Sequence, residues 1–140
     1  MVSLEEVTIM GINAPRAHQR LIAKITAQLL AKFYAGEIPF EPLPETMLDE
    51  SQSSPVPDII LVDEVQDTVP VIIEIAHGAG VRNDLDKVRK LISTTNYGIQ
   101  EGFVYDYKHL RWFQFDKYRG DVLKQPSFSS ALQLDLQELL

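Results

Sequence analysis

The sequence predicts an α/β fold in which helices flank a central mixed β-sheet. Two short runs rich in Val and Ile, 58–62 and 71–76, are bounded by turn residues, as β-strands are. Between Ala14 and Ala35, apolar residues recur at three- and four-residue intervals, the spacing of one helix face. Because helical and strand-like segments follow one another along the chain, helices can cover the sheet.

The first half of the chain supplies the longest helix and most of the expected strands. A short strand is expected within 4–10, ahead of the helix, and Gly36 ends the helix. Prolines interrupt the next strand-like segment, 40–48, which therefore suits the edge of a sheet. A polar loop over 49–55 then leads into the two apolar strands.

The second half begins with a helix and ends with strands. Asn83 or Asp84 is expected to cap this helix, which ends before Tyr97. Two strands, 102–107 and 110–115, then flank the dipeptide Lys108-His109, which predicts a two-residue hairpin turn. The last residues, with alternating Leu, form either a final strand or a short helix.

Composition narrows the class of protein. At 140 residues and 45% hydrophobic content, the chain suits a single domain over 1–140. The absence of cysteine excludes disulfides and thiolate metal sites and favours a reducing, cytoplasmic setting. The start of the chain is acidic, and no apolar run approaches the roughly 20 residues of a membrane span. A soluble, untargeted protein is therefore expected. The net charge of −7 argues against a surface coated with phosphate-binding residues but leaves room for a local basic groove.

Two carboxylates stand where a sheet would otherwise bury hydrocarbon. Glu74 interrupts the run VIIEIA, and Asp58 opens the preceding strand after Pro57. If the hairpin between them pairs the strands antiparallel, both carboxylates meet at one edge of the sheet. Paired carboxylates suit Mg²⁺, which keeps several waters and accepts phosphate oxygens from a substrate. A purely structural account stays open, in which Asp58 caps a turn and Glu74 pairs with a helix lysine.

The same residues resemble a known superfamily. Pro57-Asp58 followed by Glu74 in IIEIA is similar to the motif of the PD-(D/E)XK restriction-endonuclease-like superfamily. Nearly the whole chain is similar to a large bacterial family of uncharacterised endonucleases within it. The segments that carry this resemblance are APRAHQRLIAKITAQLLAKF, LPETMLDES, VPDIILV, VIIEIA, GIQEGFVYD and SALQLDLQELL. The resemblance implies a restriction-endonuclease-like fold, hydrolysis of DNA phosphodiester bonds and a need for Mg²⁺ or Mn²⁺.

The resemblance also implies a set of metal ligands. Asp58 and Glu74 would bind the metal, the backbone carbonyl of Ile75 would be a third ligand, and Glu45 would be the acidic residue of the earlier segment. The usual superfamily lysine would follow Glu74 by two residues, but that position is Ala76. In the family that the chain resembles, the lysine lies instead on the following helix, with an aspartate four residues before it.

Two lysines are candidates for the position of the family's helix lysine. Counting 13 residues forward from Glu74 gives Lys87, whereas counting back from Gly98 gives Lys90. On a helix Lys87 lies at the flank of the apolar stripe, while Lys90 points nearly opposite it. We therefore expect Lys87 to face the carboxylates and Lys90 to be solvated. The residue four before Lys87 is Asn83 and not an aspartate.

Two histidines complete the candidate set. His18 shares a helix face with apolar residues, which favours a core or boundary histidine, although it matches the helix histidine of the family. His77, in a glycine loop beside Glu74, and Lys90 are further candidates for substrate contact.

The departures at Ala76 and Asn83 keep an alternative open, a catalytically inactive module of the same fold that binds nucleic acid or a protein partner. A homodimer is also possible.

Overall fold

Two α-helices and a six-stranded sheet organise the part of the chain that the computed structural model describes, residues 15–49 and 54–140. The strand expected within 4–10 lies outside these residues, as does most of the polar loop. Helix α1 is Arg16–Tyr34 and helix α2 is Gly80–Thr94. The sheet strands are β1 (Glu41–Pro44), β2 (Ile59–Asp63), β3 (Thr68–Ala76), β4 (Glu101–Asp106), β5 (Arg111–Asp116) and β6 (Gly120–Asp121). This mixed architecture confirms the predicted fold class.

The strands lie in chain order across the sheet. All neighbours are antiparallel except β3 and β4, which are parallel. A parallel pair needs a crossover connection, and α2 provides it. The carboxyl ends of β3 and β4 therefore meet at one edge of the sheet, close to the start of α2.

Each face of the sheet packs against a different helix. Side chains alternate along β2 and β3, so neighbouring residues enter opposite cores. Helix α1 buries Ile22, Ile25 and Leu29 on one face, together with the C-terminal segment. Helix α2 covers the other face with Val81, Val88, Leu91 and Ile92. Within the described ranges, neither helix is long and apolar enough to cross a membrane.

Strands β2 to β5 lie within three residues of their predicted bounds, whereas the start of α2 and the β4–β5 turn differ in kind from the sequence prediction. Helix α2 begins at Gly80, so neither Asn83 nor Asp84 caps it. The β4–β5 turn has four residues instead of two, and Leu110 takes the left-handed conformation, with φ 54°. The Asp106 side chain closes this turn by accepting hydrogen bonds from the N–H groups of Lys108 and His109. This side chain allows a longer turn without a glycine.

The C-terminal segment contains both elements that its alternating Leu residues allowed. Short strands β7 (Phe128–Ser129) and β8 (Leu134–Asp135) form a hairpin, and a 3₁₀ helix, Leu136–Leu139, follows. The buried carboxylate of Glu101 holds this segment to β4, because it accepts hydrogen bonds from the Ser129 hydroxyl and from the next two backbone N–H groups. The segment completes the core on the α1 face.

Candidate functional site

The register between β2 and β3 places Asp58 opposite Glu74. Ile59 of β2 pairs with Ile73 of β3. Asp58, which precedes Ile59, therefore lies opposite Glu74, which follows Ile73. The Asp58 N–H donates to Glu74 Oε1 at 2.8 Å, and the Ile75 N–H donates to Asp58 Oδ2 at 2.7 Å. The two carboxylates are thus held next to each other at the sheet edge, as the antiparallel hairpin predicted.

Lys87 reaches this carboxylate pair from α2. Its Nζ lies 3.0 Å from Glu74 Oε2, and the Glu74 side chain is only 4% exposed. Glu74 alternates with Ile73 and Ile75 and so points to the face that α2 covers. Lys90 lies exposed on the same helix. The prediction that Lys87, rather than Lys90, faces the acidic residues is confirmed.

Position 76 lies in apolar surroundings. Ala76 points to the same face as Glu74 and is buried in the cluster beneath α2. A long cationic side chain there would meet the apolar residues of the helix. The Lys87 side chain is 38% exposed, and its ammonium group contacts Glu74 from the solvent side of this cluster. A lysine ammonium group is therefore present beside Glu74, although it comes from α2 instead of β3.

Asp84 lies near enough to Lys87 and Asp58 for their charges to act on it, and it was not singled out as a site residue from the sequence. It lies three residues before Lys87, on the same side of α2, and is electrostatically coupled to Lys87 and Asp58. Burial raises the pKa of Asp84 to about 6, and the charge of Asp58 adds to this, while Lys87 opposes it. Asn83, the position indicated by the four-residue spacing, is exposed. A search for an aspartate three residues before Lys87, as well as four, would have found Asp84.

His18 is a boundary histidine, one of the two environments expected, and it also contacts Asp58. Its Nε2 lies 3.4 Å from Asp58 Oδ2, and both side chains are 20% exposed. The hydrogen bond to Asp58 raises the pKa of His18 to about 9 against the effect of burial, and further hydrogen bonds to the Gln19 side chain and the Ile75 backbone add to the rise. The first turn of α1 therefore brings a charged imidazolium to the carboxylate pair at neutral pH.

Burial dominates the electrostatics of Glu74. It raises the pKa of Glu74 to about 7, the charge of Asp58 raises it further, and Lys87 lowers it. Repulsion between the two carboxylates is thus a smaller effect than burial. Burial alone would lower the pKa of Lys87, but the charge of Glu74 and its hydrogen bond raise it. A cation beside Glu74 would favour the ionised carboxylate.

Glu45 and His77 lie around the site without joining the carboxylate pair. The Glu45 N–H donates to the Asp58 carbonyl at 2.9 Å, but its carboxylate accepts from Gln19 Nε2 at 3.1 Å and is exposed. The exposed His77 ring packs 4.8 Å from the Tyr107 ring. In the described parts of the chain, no three His, Asp or Glu side chains are grouped so that they could hold a metal. The expected convergence of Glu45 with the pair is therefore not seen, and the roles of Glu45, Ile75 and His77 stay predictions.

A second buried carboxylate, Asp106, lies at the end of β4 beside this edge. Its Oδ1 accepts the N–H of Gly78 at 3.2 Å, and its Oδ2 lies 2.7 Å from His109 Nδ1. Burial acts to raise the pKa of Asp106, but the hydrogen bonds from His109 and from three backbone N–H groups lower it to about 2. Asp106 therefore joins the loop after β3 to the β4–β5 turn.

The Asp106→Asn variant is expected to lower the melting temperature by roughly 5 °C at neutral pH, because hydrogen bonds to a buried charge are lost. The folded pKa lies below the ordinary value of 3.8. The stabilisation is therefore present above about pH 4 and is lost as the pH falls towards 2. Melting curves from pH 2 to 6 should show the difference between wild type and variant shrinking in acid. A constant difference would contradict this, and exposed Asp67→Asn is the control.

A comparison with known proteins supports the nuclease-like fold of the chain. No protein-family profile and no curated protein matches the chain. Among solved structures, the chain is similar to the crystal structure of "a putative nuclease belonging to DUF820" from Anabaena variabilis, with a TM-score of 0.51. The identity is 16%, and the match covers 85% of this chain and 79% of that chain. At this identity the likeness concerns the fold alone, and membership of the PD-(D/E)XK superfamily stays a prediction. The chain has a nuclease-like α/β fold with a carboxylate pair, a lysine and a histidine at one sheet edge.

Proposed function

We propose that this protein is a metal-dependent nuclease that hydrolyses phosphodiester bonds of DNA. The observation that carries the proposal is the arrangement of Asp58, Glu74 and Lys87, in which two carboxylates and an ammonium group meet at one sheet edge. The likeness in fold to the protein described as "a putative nuclease" supports it. Burial raises the pKa of Glu74, the charge of Glu74 raises the pKa of Lys87, and such shifts are common at functional sites.

The residues fit a hard divalent cation in part. Asp58 and Glu74 offer carboxylate oxygens from neighbouring strands, and the backbone carbonyl of Ile75 would be a third ligand. Cationic nitrogens of His18 and Lys87 lie against these carboxylates, so the site already accommodates positive charge. Mg²⁺ is commonly bound through one or two carboxylates plus water and substrate phosphate, which suits this small donor set. When bound, Mg²⁺ or Mn²⁺ supplies charge stabilisation for the phosphate and a more acidic water.

The side chains of the chain itself position the substrate and balance its charge. Lys87, paired with Glu74, would place its ammonium group beside the substrate phosphate, where negative charge develops. His18, held by Asp58, adds a second positive group on the α1 side of the site. Because the carboxylates hold both cations in place, little reorganisation is needed when substrate binds.

A titration with Mg²⁺ and Mn²⁺ tests the proposal. Wild type is expected to nick supercoiled plasmid DNA with either metal and to be inactive in EDTA. Glu74→Gln, which keeps the shape but removes the charge, should lower the rate by at least about 100-fold. The metals should also raise the melting temperature of wild type, because they bind the folded state, and the variant should lose this increase.

The matched control is Glu64→Gln, an exposed residue of the β2–β3 turn, which should keep both activity and metal response. Single-stranded DNA and RNA are assayed in parallel to define the substrate. If no nucleic acid is cleaved and millimolar metal leaves the melting temperature unchanged, the proposed nuclease activity is wrong.

A second candidate, an inactive module that binds nucleic acid, is favoured by one specific observation. Three carboxylate oxygens of the pair already have internal partners: backbone N–H groups, His18 and Lys87. Such a network can satisfy its buried charges without a metal. Binding of DNA without cleavage and without a metal effect on stability would favour this candidate.

A further inference from the structure

Lys108 lies across the loop that follows the Glu74 strand. A Cβ atom built on Gly78 would lie 3.0 Å from Lys108 Cδ and 3.7 Å from its Nζ. The lysine stem is therefore packed against the backbone of this loop, where Gly78 has φ 55° and no side chain to displace it. This contact holds the ammonium group close to the end of β3, although the residue is exposed.

The turn that carries Lys108 is firmly attached to the loop. The Tyr107 N–H donates to the Ala76 carbonyl at 3.0 Å, which extends the pairing of β3 and β4 beyond the strand ends. The Asp106 carboxylate accepts the N–H groups of Gly78, Lys108 and His109. One buried side chain thus fixes both the loop and the backbone of Lys108.

The ammonium of Lys108 lacks a carboxylate partner among residues 15–49 and 54–140, whereas Lys87 is paired with Glu74. The neighbouring basic residues, His109 of the turn and Arg111 of β5, both contact Asp106. Lys108 is therefore a positioned positive charge that remains available to an anion, in a chain whose net charge is −7.

The distance from the carboxylate pair suits a neighbouring phosphate of the same substrate. Gly78 follows Glu74 by four residues, which at about 3.3 Å per residue bounds their separation at roughly 13 Å. Successive phosphates of one DNA strand rise by about 3.4 Å along the axis. A strand with one phosphate at the carboxylate pair can therefore present another to Lys108 within about four nucleotides.

We propose that Lys108 binds a backbone phosphate of the nucleic acid a few nucleotides from the bond at the carboxylate pair, and that Asp106 is its positioning residue. This inference rests on the proposed function, because it assigns a substrate contact to the same site. Phosphate contacts fix the position of a protein on DNA without reading its sequence. The loss of Lys108 should consequently weaken binding to all sequences alike.

Fluorescence anisotropy with a short labelled DNA duplex in EDTA measures this contact without cleavage. Lys108→Ala should weaken binding several-fold and reduce the slope of log affinity against log salt by about 0.9, the value for one phosphate contact on duplex DNA. Two duplexes of unrelated sequence should show the same change. Lys117→Ala, an exposed lysine in the β5–β6 turn at the other end of β5, is the matched control and should bind as wild type does.

The role of Asp106 is tested by combining variants. Asp106→Asn should weaken binding in the presence of Lys108 and have little further effect in Lys108→Ala, because it acts through that lysine. His109→Ala removes one contact of Asp106 and should give a smaller effect in the same direction. Equal effects of Asp106→Asn in both backgrounds would show a merely structural role.

The outcomes separate the two proposals. Affinity and salt slope unchanged in Lys108→Ala, with DNA still bound by wild type, would overturn the inference alone. Binding that depends on Lys108, with no cleavage under any metal condition, would support the inference and overturn the nuclease activity. No binding of DNA or RNA by wild type would overturn both.

Discussion

Lys87→Ala is expected to lower metal-dependent cleavage by at least about 100-fold, the effect of removing one group that stabilises transition-state charge. Lys87 is placed for this role, because its Nζ lies 3.0 Å from Glu74 Oε2 beside the carboxylate pair. The fold should persist, since the lysine side chain is 38% exposed and contributes little to the core. Cleavage rate and melting temperature are measured on the same preparation.

Lys90→Ala is the matched control, because Lys90 lies exposed on the same helix. It should cleave like wild type. Lys87→Arg should recover part of the activity, since it keeps the charge but changes the geometry of the donor group. A fully active Lys87→Ala variant, or an equal loss in Lys90→Ala, would remove Lys87 from the proposed mechanism.

Gly102→Ala is expected to cause the largest loss of stability, about 1–3 kcal/mol or more. Gly102 lies in the middle of the sheet, between Ile72 and Phe115. A Cβ atom there would lie 2.1 Å from Val88 Cγ1 of α2, far inside van der Waals contact. Either α2 or β4 must shift. Because α2 carries Asp84 and Lys87, cleavage should fall together with stability.

Denaturant unfolding measures this effect, and a second substitution tests its cause. Val88→Ala in the Gly102→Ala background should recover part of the lost stability, since it removes the methyl group that clashes. Gly80→Ala is the control, because a Cβ there would meet nothing within 4 Å and the helix gains propensity. If Gly102→Ala unfolds at the same denaturant concentration as wild type, the close packing of α2 on β4 is wrong.

The cations at this site come from both faces of the sheet. His18 approaches Asp58 from α1, and Lys87 approaches Glu74 from α2. The two carboxylates are joined by backbone hydrogen bonds, so the charges of two separate helices act on one pair of strands. A change in the packing of either helix should therefore alter the site without a change in its carboxylates.

The sequence by itself determined the features that depend on local patterns. Periodicity identified helix α1, and the β-branched runs identified β2 and β3. The antiparallel hairpin was sufficient to predict that Asp58 and Glu74 meet at one end of the two strands, whereas a bulge between Leu61 and Asp63 sets the exact register. The angle of 100° per residue on α2 was sufficient to choose Lys87 over Lys90.

Only the tertiary structure decided which distant side chains complete the site. The docking of α1 turns His18 towards Asp58, and the docking of α2 half-buries Asp84 but leaves Asn83 exposed. The left-handed backbone of Glu45, with φ 47°, accompanies the contact of its carboxylate with Gln19. These outcomes depend on contacts between residues far apart in the chain, and local spacing carries no information about how two separately predicted elements pack against each other.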